Sequence, residues 1–242
     1  MAQPIEVHYW PTPNGHKVTI ALEEMGLPYE IVPVNIGRGD QFKPEFLAIS
    51  PNNRMPAIVD PDGPGGQPIS VFESGAILQY LGRKTGQFYG ADERGRVAVE
   101  EWLMWQMANF GPNSGQANHF RNYAPAVTRD QRHLAYGANR YSNEVHRLYG
   151  VLEKRLAGRD YLAGDYSIAD MATAPWASAW PVLGIHLDEF PNVKAWHERV
   201  LARDAVKRAL ARGDHLRRGP GLQASGKEAE EARRVLFGQR AR

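Results

Sequence analysis

At 242 residues the chain suits one large or two modest domains, and its 43% apolar and 23% charged residues are ordinary for a globular protein. A net charge of +2 gives no electrostatic reason to expect nucleic acid or an anionic membrane as partner. Cysteine is absent, which excludes a disulfide staple, a thiolate zinc site, a Cys-x-x-Cys redox pair and a cysteine nucleophile. Sulfur chemistry would therefore have to use a ligand's sulfur. The eight histidines are scattered, without a His-x-x-x-His pair, so no metal is expected. The opening Met1-Ala2-Gln3-Pro4 lacks the basic and apolar regions of a signal peptide, and no run approaches membrane-spanning length. A cytoplasmic protein is expected.

The first 85 or so residues alternate strand and helix signals. Ile5 to Trp10 is a short β-rich run, and Asn14 to Met25 carries Val18, Ala21, Leu22 and Met25 in helical spacing. Gly26 closes that helix, as a glycine after a last turn commonly does. Tyr29 to Val34 reads as a second strand and Lys43 to Ile49 as a short helix. Pro56 to Asp60 and Ile69 to Phe72 read as strands joined by the turn-rich Pro61-Asp62-Gly63-Pro64-Gly65-Gly66. Glu73 to Lys84 is the last helix. The order β-α-β-α-β-β-α implies a small mixed sheet with helices on its faces.

From Asp92 onward strand signals vanish. Periodic segments over Arg94–Phe110, Thr128–Arg159, Ile168–Trp180 and Val193–Arg212 predict an all-helical bundle, with Asn109-Phe110-Gly111-Pro112 breaking the first. Tyr166-Ser167-Ile168-Ala169-Asp170-Met171 reads as a capping box with Ser167 as cap and Asp170 reaching back, which is a structural signal. Trp102 and Trp105, three apart, are expected to pack in the bundle or a subunit interface. The chain thus divides into 1–86, 92–212 and a charged extension, 213–242, that reads as mobile with one short helix near Lys227–Phe237.

Phe72-Glu73-Ser74-Gly75-Ala76-Ile77 is the most chemically informative segment. A strand ending at an acidic-hydroxyl pair that opens at once into a helix can grip a zwitterion. Ser74 and the first helix N–H groups can hold a carboxylate, since a helix N-terminus carries partial positive charge. Glu73 can hold an ammonium. The pair fits the head of an α-amino acid; a plain helix cap fits the same residues.

These parts together resemble the glutathione transferase superfamily over roughly residues 4–212. Pro11-Thr12-Pro13-Asn14-Gly15-His16-Lys17, Gly39-Asp40-Gln41-Phe42, Ser50 to Asp60 and Phe72 to Ile77 are similar to the bacterial Nu class, relatives of a yeast nitrogen-regulating prion protein. The resemblance implies a thioredoxin-like N-terminal domain followed by a helical bundle, α/β and then all-α, and a homodimer. It also implies a cis bond at Met55-Pro56 that turns the Met55 backbone toward the cysteinyl unit of glutathione. Glu73 and Ser74 would hold the γ-glutamyl end, and Gln41 the glycyl side or backbone. Thr12 and Asn14 would stabilise the ligand thiolate at the start of the first helix, by hydroxyl and amide donors. Tyr9 shares a strand face with Ile5 and Val7, which favours a core ring over the catalytic tyrosine of many such enzymes. Phe110, Gln116 and His119 correspond to a second-substrate wall over the ligand sulfur. Arg140 corresponds to an arginine reaching a glutathione carboxylate. A kinked helix with core aromatics and an exposed surface arginine fit the same residues.

The activity implied is glutathione-dependent reduction of small disulfides, with one glutathione or two in each site. Conjugation to electrophilic carbon, or peroxidase chemistry, would use the same thiolate. A regulatory or binding protein on this fold is the alternative of another class, although a pure scaffold has no physical need for a complete thiol site.

Overall fold

The structure, a computed structural model, describes residues 3–128, 130–216, 222 and 224–238. Ile5, Val7 and Tyr9 are buried while Glu6 and His8 alternate with them, so the strand Ile5–Tyr9 (β1) turns one face into a core. It runs parallel to Tyr29–Pro33 (β2) and antiparallel to Ala57–Asp60 (β3), which pairs antiparallel with Ile69–Phe72 (β4). The sheet order is β2-β1-β3-β4, with Val7 facing Ile31 on one side and Ile58 on the other.

Parallel pairing of β1 and β2 needs a long crossover, supplied by the helix Pro13–Met25 (α1). Thr12 caps it, Pro13 opens it, and Gly26 ends it at φ 65°, a left-handed conformation that glycine adopts without strain. The short helix Pro44–Leu47 (α2) precedes β3, and Ser74–Thr85 (α3) follows β4. The order is the expected β-α-β-α-β-β-α, followed among the described residues by helices and no further strand, apart from isolated bridges near Tyr161–Asp165.

By contacts the chain forms two units, one up to Ile77 together with residues from Arg208 onward, the other Leu78–Lys207. The boundary falls inside α3 rather than after it. In the second unit Glu93–Trp105 (α4) starts at Asp92, whose carboxylate accepts the Gly95 N–H at 2.7 Å. The expected break at Asn109–Pro112 is not a break. A π turn over Gln106–Phe110 widens the helix, the Gly111 N–H bonds to the Gln106 carbonyl, and Gly111–Asn118 (α5) continues. Pro112 lacks an N–H and crowds the turn before it, and the wider turn accommodates both defects.

Gln131–Leu156 (α6) is the long helix expected, with residue 129 of that segment outside the described residues. The segment expected as Ile168–Trp180 is two helices, Ile168–Ala177 (α7) and Trp180–Leu183 (α8), the second opened by Pro181. Likewise Val193–Arg212 is Pro191–Leu201 (α9) and Asp204–Ala211 (α10), with an acidic residue starting the new helix. Asp170 anchors the unit's core. One carboxylate oxygen accepts the Leu162 N–H at 3.0 Å and the Trp196 indole N–H at 2.9 Å, and the other accepts the Ser167 N–H at 3.1 Å.

The described part of the extension groups with the first unit. Lys227–Phe237 (α11) matches the expected helix, and Ala229 on it is buried. A Cβ on Gly37 would meet the Ala232 methyl at 3.5 Å, and Arg38 lies 3.8 Å from Glu228. Arg208 and Arg212 reach Glu23 on α1 at 2.8 and 3.2 Å. Residues 217–221, 223 and 239–242 of the extension, and Met1-Ala2, lie outside the described residues. Among the described residues no helix is long and apolar enough to cross a membrane.

Candidate functional site

Thr12 stands between β1 and α1 in extended conformation, and its Oγ1 accepts the Gly15 N–H at 3.2 Å. The cap leaves the hydroxyl hydrogen to donate, and it points to Met55 Sδ at 3.5 Å. Sulfur in a thioether is a weak acceptor. Gly15 permits this tight entry, because a Cβ there would collide with the Trp10 carbonyl and lie 2.8 Å from the Tyr9 ring. Asn14 follows in the first turn, half-buried. Met55 is buried, and the Met55-Pro56 bond is cis, as expected.

Tyr9 is fully buried, and its hydroxyl pairs with His16 Nδ1 at 3.1 Å. Gly213 packs so closely over that hydroxyl that a Cβ would collide with it. The ring is a core group.

Glu73 links β4 to α3 with φ 69°, a left-handed conformation uncommon for a residue with a side chain. Its carbonyl accepts the Ile77 N–H at 2.9 Å, so it is the residue that starts α3. Its exposed carboxylate accepts from Asn52 Nδ2 at 3.2 Å. Ser74 is buried beside it, and Lys17 Nζ, from α1, donates to Ser74 Oγ at 3.4 Å. Burial lowers the Lys17 pKa to about 7, with the Glu73 charge acting in the opposite sense.

Thr12 and Met55 are thus joined in one place, and Glu73, Ser74, Lys17 and Asn52 in another, all within the first unit. Gln41 is buried, its amide donating to the Ile36 carbonyl at 3.1 Å while its Oε1 finds no hydrogen-bond partner. Lys17 and Asn52 escaped the sequence reading, although both lie inside the motifs that carried it. Their signal was position alone: Lys17 lies one turn along α1 from Asn14, and Asn52 lies three residues before Met55.

The remaining expected residues lie in the helical unit. Phe110 is fully buried, stacked on Trp105 at 5.3 Å and edge-on to Tyr149 at 5.3 Å. Both neighbours occupy the ring's surroundings, so the ring packs in the core of the helical unit. Gln116 is exposed and His119 half-buried, the latter against Phe120 and with its pKa lowered by burial. Arg140 is exposed on α6, 3.8 Å from Glu144. Trp102 and Trp105 pack edge to face at 5.4 Å. Among the described residues no group of His, Asp and Glu is gathered that could hold a metal ion.

Residues 12–84 match the family described as glutathione S-transferase, N-terminal domain, and residues 128–204 its C-terminal domain. The chain is 49% identical over 208 residues to the disulfide-bond oxidoreductase YfcG of Escherichia coli strain K12, covering 85% of this chain and 94% of that protein. A glutathione transferase family member of Pseudomonas fluorescens, solved with two glutathione bound, is 46% identical with a TM-score of 0.78, over 85% of this chain and 92% of that one. A glutathione transferase of Pseudomonas putida, solved with one glutathione disulfide per subunit, is 44% identical with a TM-score of 0.79, over 86% and 90%.

Proposed function

Because this chain belongs to the glutathione S-transferase family, we propose that it reduces disulfides with glutathione, using the ligand's thiolate where other reductases use a cysteine of their own. The observation that carries the reading is Thr12. In a chain with no cysteine, a hydroxyl at a helix N-terminus aims its hydrogen at a sulfur position. A thiolate is a far better acceptor than the Met55 thioether and would replace it.

A free thiol with a pKa of about 8.5 is only a few per cent ionised at neutral pH. Donation from Thr12 and Asn14 together with the dipole of α1 would lower that value by ~1–2 units, which is ~1.4–2.8 kcal/mol in favour of the anion. Met55, by its backbone, and Pro56 hold the cysteinyl unit. Glu73 takes the ammonium and Ser74 the carboxylate of the γ-glutamyl head, and Gln41 lines the glycyl side.

The bound thiolate attacks one sulfur of the substrate disulfide. One S–S bond breaks, a mixed disulfide forms, and the leaving thiolate takes a proton. A second glutathione thiolate then attacks the glutathione sulfur of the mixed disulfide, releasing the second substrate thiol and glutathione disulfide. Two glutathiones thus supply the two electrons, and the protein is unchanged. The two glutathiones and the glutathione disulfide held by the Pseudomonas proteins support this sequence. The enzyme acts in the cytoplasm as a homodimer.

The test is the rate of glutathione-dependent reduction of 2-hydroxyethyl disulfide beside conjugation of a chloronitrobenzene. Fast reduction with feeble conjugation is expected. The reverse would make this a conjugating transferase, and no glutathione binding at millimolar ligand would leave only a binding role for the fold.

A further inference from the structure

Among the described residues Lys17 is a buried cation that the proposed chemistry leaves unused. It is 1% exposed, on the second turn of α1, and its ammonium reaches across 57 residues of sequence to Ser74 Oγ. An ammonium has three N–H donors and no lone pair. Ser74 Oγ accepts from Lys17 at 3.4 Å. A serine hydroxyl polarised in this way is a stronger donor to an anion than serine alone, because each hydrogen bond in a chain strengthens the next. The charge behind it is buried, where it acts on a nearby anion with little screening.

Resting on the glutathione reading above, we infer that Lys17 is a positioning residue for substrate: its ammonium orients the Ser74 hydroxyl toward the γ-glutamyl carboxylate and supplies the positive charge that anion meets. Glu73 and Lys17 then divide the zwitterion between them, the carboxylate of one facing the ligand ammonium and the ammonium of the other backing the ligand carboxylate. Lys17 touches Ser74 and not the reacting sulfur, so its effect falls on binding rather than on the chemical step. The tuning of its proton affinity, lowered by burial and raised by Glu73, makes the arrangement sensitive to pH near neutrality.

The experiment titrates wild type and Lys17→Met with S-methylglutathione, whose sulfur cannot ionise, and with its analogue lacking only the γ-glutamyl α-carboxylate. The variant should bind S-methylglutathione at least about ten-fold more weakly, with kcat for disulfide reduction within about two-fold. Wild type and variant should bind the decarboxylated analogue equally, since the group Lys17 serves is gone. Equal binding of S-methylglutathione by both proteins overturns the role of Lys17 and leaves the glutathione site intact. A similar loss for both ligands also overturns it, marking a general structural defect. Failure of wild type to bind S-methylglutathione removes the glutathione reading and this inference with it. If Lys17→Met does not fold, wild type alone decides: with Glu73 and Ser74 as the facing groups, its affinity should fall as pH rises from about 6 to about 9, and a flat profile overturns the role.

Discussion

Thr12 Oγ1 and Met55 Sδ lie 3.5 Å apart, joining the start of α1 to the loop before β3. The hydroxyl accepts a helix N–H on one side and donates to sulfur on the other, so removing it should affect charge on a bound sulfur more than retention of the ligand. Thr12→Ala and Asn14→Ala should each lower disulfide turnover roughly ten-fold and raise the bound thiol pKa by ~1 unit, with Thr12→Ser close to wild type. Ultraviolet titration of enzyme-bound glutathione reads the pKa directly. No change in either alanine variant would strip both residues of their assigned roles. Thr12→Ala also loses a cap and should cost ~1 kcal/mol of stability.

Glu73 carries a side chain in a conformation that normally selects glycine. Strain of this kind costs roughly 1–2 kcal/mol and concentrates at binding sites. Glu73→Gln should weaken S-methylglutathione binding and leave the bound glutathione thiol pKa unmoved. Glu73→Gly should weaken binding as well but raise stability by ~0.5–1 kcal/mol. Urea unfolding beside calorimetric titration separates the two effects; a glycine variant less stable than the glutamine one would show that no strain is held there.

Asp170 serves the helical unit alone. Its carboxylate gathers two backbone N–H groups, an indole N–H and the Ser167 hydroxyl, the last at 3.2 Å. Asp170→Ala strands those buried donors and should destabilise by ~3 kcal/mol or more. Glutathione affinity per folded molecule should hold. A loss of affinity in protein shown to be folded would place Asp170 in the site after all.

The sequence made the caps and the punctuation legible because each is a local event. Ser167 and Asp170 are three residues apart, and Gly26 ends α1 with its own backbone. Tyr9 could be placed in the core because strand alternation alone decides which face it shares. Long-range packing was not legible. The π turn before Pro112 depends on how a helix absorbs a missing N–H, and Asn109–Pro112 signals only that something must yield. Nor does the sequence mark the packing of Phe110 against Trp105 and Tyr149. Lys17 drew no reading of its own because α1 is buried around much of its circumference, with His16, Lys17 and Thr19 as covered as Val18 and Ile20. Amphipathic spacing carries no sign of that.

The buried ammonium has a measurable consequence for stability. With the folded pKa lowered to about 7, the unfolded chain holds the Lys17 proton between that value and the ordinary lysine value while the folded chain releases it. Unfolding then takes up a proton, and stability rises with pH across the window. Relative to Lys17→Met, wild type should gain up to about 1.4 kcal/mol per pH unit from about pH 7 toward pH 10, with a constant difference below pH 7. Paired urea titrations across that range measure it. A difference independent of pH would mean that the lysine keeps its proton in the fold.

Arg208 and Arg212 on Glu23, Gly213 on Tyr9 and Ala232 beside Gly37 place residues far along the chain against the early sheet unit. During translation the sheet unit emerges earliest yet cannot be finished until the ribosome has delivered the whole helical unit and the residues beyond it. A nascent chain halted before Arg208 leaves Glu23 without its two arginines and Tyr9 without its cover. Completion of the sheet unit is thereby deferred to residues that follow the helical unit.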